Sequence, residues 1–154
     1  MIGEDFREDY EYDEKNDKIG QGSYGTVYRV KKGDTKEKRA IKLIDIEQYK
    51  KDYENYHSEL ITKETLEEYI NLIFKEIGLM QVVEGDDKKN ENTVKCYGYY
   101  YQKDKEIAIV MELCDEHLGK MISRNEGTLT FDKIREILKQ LNNYFFLHKI
   151  HIYF

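Results

Sequence analysis

Gly20, Gly22 and Gly25 fall within residues 19–30, and the residues that follow them constrain the fold more than any other feature of the chain. Residues 26–30 alternate with a two-residue, β-branched period, and Ala40-Ile41-Lys42 lies in a second apolar run. The glycines therefore join strand to strand. Without a Cβ at these points, a turn can bring its backbone N–H groups against a phosphate chain and adopt positive φ. Read alone, the same stretch is also an ordinary glycine-rich hairpin beside a surface lysine.

Its context excludes two other phosphate-binding arrangements. A dinucleotide-binding G-x-G-x-x-G opens a helix, and a P-loop continues directly into Gly-Lys-Ser/Thr. Neither sequel is present. Composition narrows the class further. The 154 residues are enough for one ordinary domain, and 40% hydrophobic with 36% charged residues is a globular balance. No run of about 18 apolar residues is present, and the first five residues are acidic where a signal peptide is basic and then apolar. The expected location is therefore cytoplasmic or nuclear, with no membrane span. A net charge of −6, with bases interspersed among acids, argues against nucleic acid as a partner. Cys96 and Cys114 are too few for a disulfide framework or a structural zinc site.

Along the chain, residues 1–11 read as a solvated acidic leader by their low apolar content. Strands are expected on both sides of the glycines, over 39–46, and as a hairpin of 93–102 and 106–113 turning at 103–105. Residues 47–62 are charged and tyrosine-rich, and read as an insertion. From Thr65 the positions Leu66, Ile70, Ile73, Ile77 and Met80 recur at three- and four-residue steps, the stripe of an amphipathic helix. Thr65 with Glu68 forms a capping-box pattern, and Thr62 offers a start one turn earlier. A short helix is expected over 117–123. Thr130 then caps a longer one, with Ile134, Ile137, Leu138, Leu141 and Phe145 on one face.

Gly20, Gly22, Gly25 and Val27, together with Arg39-Ala40-Ile41-Lys42, resemble the G-x-G-x-x-G-x-V and V-A-I-K motifs of the protein kinase family, Arg39 standing where Val is common. The resemblance spans residues 12–146. It implies an α+β fold: a kinase-like small lobe with a five-stranded antiparallel sheet and one main helix over 12–113, then the hinge and incomplete large-lobe helices over 114–154. It also implies ATP as ligand, with Mg accompanying it, and a protein substrate or partner kinase.

The roles implied are specific. Lys42 matches the lysine that holds the α- and β-phosphates, and a helical carboxylate fixes it. Glu76 is the chosen partner because it borders the apolar stripe, with Glu67 and Glu68 as alternatives. Ile19, Val27 and Ala40 match the wall above the adenine, Met111 the gatekeeper, and Glu112, Leu113 and Cys114 the hinge. Tyr24 matches the aromatic that covers the terminal phosphates.

The family also uses an H-R-D-x-x-x-x-N loop for catalysis and a D-F-G for magnesium. Neither occurs in the chain; His151 is followed by Ile152 and Tyr153 where Arg and Asp would stand. No catalytic residue and no protein metal ligand is therefore assigned. The expectation is the ATP-binding part of a serine/threonine-type protein kinase, truncated and inactive as given. A noncatalytic, pseudokinase-like regulatory or interaction module is the alternative.

Overall fold

A computed structural model of the chain describes residues 1–22, 25–85, 93–116, 118–124 and 128–148. Strands β1 (Tyr10–Glu11), β2 (Lys18–Gly22), β3 (Gly25–Lys32) and β4 (Lys38–Asp45) precede helices α1 (Ile46–His57) and α2 (Lys63–Gly85). Strands β5 (Cys96–Gln102) and β6 (Glu106–Met111) follow, then helices α3 (Leu118–Arg124) and α4 (Phe131–His148). The strands form one antiparallel sheet in the order β1-β3-β4-β6-β5. β2 pairs with the glycine end of β3, β1 with its far end at Lys31 and Lys32. A sheet of five to six curled strands with helices is the architecture of a kinase small lobe with part of a large lobe.

Strand alternation divides the sheet into two apolar faces. Ile44, Ile107 and Ile109 point towards α2, whose Leu66, Ile70, Ile73 and Ile77 are buried against them. Each fully buried isoleucine contributes roughly 1.5–3 kcal/mol of hydrophobic stabilisation. The stripe expected from the sequence is the stripe that packs. The helix starts at the earlier of the two threonines: Thr62 Oγ1 accepts from the Thr65 N–H at 3.1 Å, and the Thr62 carbonyl accepts from Leu66.

One sequence expectation is corrected. The opposite face of the sheet, with Val30, Ile41, Ala108 and Val110, is covered by the N-terminal segment, so residues 1–11 are not a solvated leader. Phe6 is 1% exposed and Tyr10 7%. An apolar sheet face must be covered, and two well-placed rings supply that cover within an acidic stretch. Residues 47–62, read from the sequence as an insertion, are largely helical. Most of that stretch is helix α1, capped by Asp45, whose carboxylate accepts from the Gln48 N–H at 2.8 Å. It adds a shorter helix beside the main one, α2. Tyr49 of α1 stacks on Tyr69 of α2 with ring centroids 3.5 Å apart.

Candidate functional site

The glycine turn is built from residues of two kinds. Gly25 has φ +153°, and a Cβ there would run into the Leu43 carbonyl oxygen of the neighbouring strand. Its role is architectural. Nothing lies within 4 Å of a Cβ built on Gly22, and one on Gly20 would meet only the Val27 Cβ at 3.9 Å. These two leave open space instead. Tyr24 lies outside the described residues.

The β3–β4–β6 register places Val27, Lys42 and Ile109 side by side. Alternation along β4 then points Ala40, Lys42 and Ile44 to the face that α2 covers. Ile73 and Ile77 are buried and fix the rotation of α2, which leaves Glu76 at the rim of its buried stripe. Lys42 Nζ lies 3.2 Å from Glu76 Oε1. The lysine side chain is 20% exposed and the glutamate 53%. Of the three candidate carboxylates, the structure brings Glu76 to Lys42. Glu67 instead pairs with Lys63 on its own helix at 3.5 Å, and Glu68 is exposed about two turns away from Glu76 along α2.

Ala40 is buried opposite Met111, the last residue of β6, which packs against the α2 cluster. Val27 is half-buried, and Ile19 is exposed at the bulge between Lys18 and Gly20. Past Met111 the chain leaves the ladder. The Glu112 N–H donates to the Lys95 carbonyl at 2.9 Å, and the Glu112 carboxylate accepts from the Lys95 N–H at 3.3 Å. Leu113 is half-buried and Cys114 exposed. Partial desolvation, reinforced by Glu112 and Asp115, holds the Cys114 thiol above its ordinary pKa.

Arg39, where the motif departs from the common valine, has its own packing: its guanidinium lies 3.7 Å from the centre of the Tyr97 ring and pairs with Glu37 at 2.7 Å. A cavity of about 290 Å³ lies behind the glycine turn, with Gly22, Gly25, Tyr28, Asp45 and Tyr49 among its walls. Lys42, Glu76 and Met111 do not line it. Among the described residues no three His, Cys, Asp or Glu side chains are grouped to hold a metal ion. None of the described helices is long and apolar enough to cross a membrane.

Comparison with known proteins agrees with this fold. The model of the protein kinase domain family matches residues 13–154, and the chain belongs to that family. A structural relative is the crystal structure of Rad53 1-466 in complex with AMP-PNP, at TM-score 0.59 and 18% identity. The match covers 85% of this chain and 28% of the Rad53 chain, so this chain spans little more than a quarter of that relative.

Proposed function

We propose that this chain is the ATP-binding part of a cytoplasmic or nuclear protein kinase of serine/threonine type. The observation that carries the proposal is the Lys42–Glu76 pair beside the glycine turn. A lysine amine held by a carboxylate is oriented as a point charge towards the α- and β-phosphates, which is how phosphoryl transfer is positioned in kinases. Around it, Gly20 and Gly22 leave room for main-chain N–H groups to approach the phosphates, with Tyr24 above the terminal ones. Ile19, Val27 and Ala40 cover the adenine, Met111 closes the back, and the backbone of Glu112, Leu113 and Cys114 meets the polar edge of the base. The AMP-PNP in the Rad53 complex supports a nucleotide in this fold. Magnesium, where present, arrives with the nucleotide and neutralises its phosphate charge.

With neither H-R-D nor D-F-G in its sequence, the chain by itself binds nucleotide without transferring phosphate. Titration calorimetry with Mg-ATP tests the first half: saturable binding that Lys42→Ala weakens is expected, and absence of binding overturns it. A phosphotransfer assay tests the second, where turnover lost in Lys42→Ala would refute inactivity. A second reading, a noncatalytic interaction module, is favoured by the exposed Phe131, Ile134 and Leu138 of α4. It predicts partner binding that is indifferent to nucleotide.

A further inference from the structure

We propose that residues 2–12 form a strap that ties together the two edges of the sheet across its outer face, and thereby holds the glycine-turn strand β3 in position against the β5–β6 hairpin that leads to Glu112.

The path of the segment carries the argument. At one edge the Ile2 N–H donates to the Tyr99 carbonyl at 2.7 Å, and the Tyr101 N–H donates to Gly3 at 3.1 Å, a parallel bridge to β5. At the other edge Tyr10 and Glu11 pair with Lys32 and Lys31 of β3, and the Gly33 N–H donates to Asp9 at 2.8 Å. Strands β6 and β4 lie between. The single turn Phe6–Glu8 lies midway along the crossing.

Anchors hold the crossing at its middle. Phe6 is buried in the cluster of Val30, Ile41, Tyr100 and Val110. Arg7 grips the buried Glu106 carboxylate with both terminal nitrogens, one of them at 3.0 Å, and the Tyr100 hydroxyl donates to Asp9. Two glycines mark the route independently. A Cβ on Gly98, whose φ is +136°, would lie 2.8 Å from the Ile2 side chain, and one on Gly3 would lie 3.2 Å from the Tyr100 ring. β5 thus lacks a side chain where the strap passes, and the strap lacks one where it meets Tyr100.

The strap also reaches towards the candidate site. Rings step from Phe6 to Tyr12 at 5.4 Å and from Tyr12 to Tyr28 at 5.1 Å, and Tyr28 is the β3 residue next to Val27. The family match begins at residue 13, so residues 2–12 lie outside the matched region. The consequence for nucleotide affinity rests on the ATP reading above; the tie itself does not.

Amide hydrogen exchange on the full chain, without nucleotide, tests the tie. In Phe6→Ala the Tyr101 and Gly33 amides, which donate to the strap at opposite edges, lose protection together by about tenfold or more, while the β4–β6 amides keep theirs. If either edge amide is unchanged, or if protection falls evenly through the sheet, the proposal is overturned. Should Phe6→Ala not fold, Phe6→Leu gives the same paired loss at smaller amplitude, and the same two outcomes overturn the tie. Mg-ATP titration of the same variant then reads the coupling, with Kd rising about fivefold. An unchanged Kd with both edges loosened overturns the coupling alone. Absence of binding in the unmodified chain overturns the ATP reading, while the exchange data still decide the tie.

Discussion

Glu76 lies within 3.2 Å of Lys42 although 34 residues separate them, because β4 turns the lysine towards the very face on which α2 buries Ile73 and Ile77. The pair is partly exposed, so its contribution to folding is small, within roughly 0–1 kcal/mol. Its expected weight falls on the ligand. Lys42→Ala is predicted to weaken Mg-ATP binding by about 10- to 100-fold, and Glu76→Gln by several-fold, since the amine loses its fixed orientation but keeps its charge. Both variants should unfold within about 0.5 kcal/mol of the parent. Calorimetric titration and urea denaturation on the same samples separate the two effects.

How far the sequence discloses this arrangement depends on whether a signal is local. The glycine spacing, the alternating strands, the α2 stripe and the Thr130 cap are each written within one or two turns of chain, and each appears in the structure where expected; the Lys133 N–H donates to Thr130 Oγ1 at 3.3 Å. The N-terminal segment is misread because Phe6 and Tyr10 are isolated among acids, and only the distant Val30, Ile41 and Val110 make them core residues. Helix α1 is hidden by a polar surface on which Ile46 is the buried anchor. The choice of Glu76 over Glu67 and Glu68 was legible from its place at the border of the α2 stripe, and the rotation that brings it to Lys42 is set by Ile73 and Ile77 through contacts with strands elsewhere in the sequence.

Gly25 and Gly22 should separate fold from ligand. Gly25→Ala places a methyl group against the Leu43 carbonyl and is predicted to destabilise the domain by about 1–3 kcal/mol. Gly22→Ala enters open space, so the expected stability change is under about 1 kcal/mol, with the loss appearing in nucleotide affinity. Denaturant midpoints for both variants check the contrast, and equal destabilisation would contradict it.

Alkaline pH should weaken the N-terminal packing. Burial first, and the Asp9 carboxylate second, raise the Tyr100 hydroxyl well above tyrosine's ordinary 10. A group whose pKa is raised on folding contributes stability that is fully present below its unfolded value and fades as pH climbs towards the folded one. Stability should therefore decline once pH passes about 10. Burial also raises Tyr10, Tyr12, Tyr49 and Tyr101, so Tyr100→Phe is predicted to flatten that decline without removing it. Denaturant midpoints on either side of pH 10 measure the slope.

Cys114 offers a chemical probe of the hinge. With its thiol raised by desolvation and two flanking carboxylates, the thiolate fraction at neutral pH is smaller than that of an unperturbed cysteine. Alkylation of the native chain is expected to be slower than that of a small free thiol and to accelerate as pH rises. Mg-ATP should slow it further if the base lies against residues 112–114, whereas nucleotide-independent rates would remove Cys114 from the proposed contact.

Helix α4 leaves Phe131 72%, Ile134 41% and Leu138 59% exposed on one side of the helix. Their spacing of three, four and seven keeps them on a single face, so the wet area is continuous rather than scattered. Each side chain left in water forgoes roughly 1.5–3 kcal/mol, a strong drive towards any surface that can cover it. Arg135, 5.0 Å above the Phe131 ring, shields only part of one residue. The chain as given should therefore self-associate through this face as concentration rises, and as a monomer its α4 amides should exchange quickly. Leu138→Glu is predicted to shift sedimentation towards monomer with a folding change below about 0.5 kcal/mol, because the position is already exposed. Protected α4 amides in a proven monomer would show instead that the helix is stable without a covering surface.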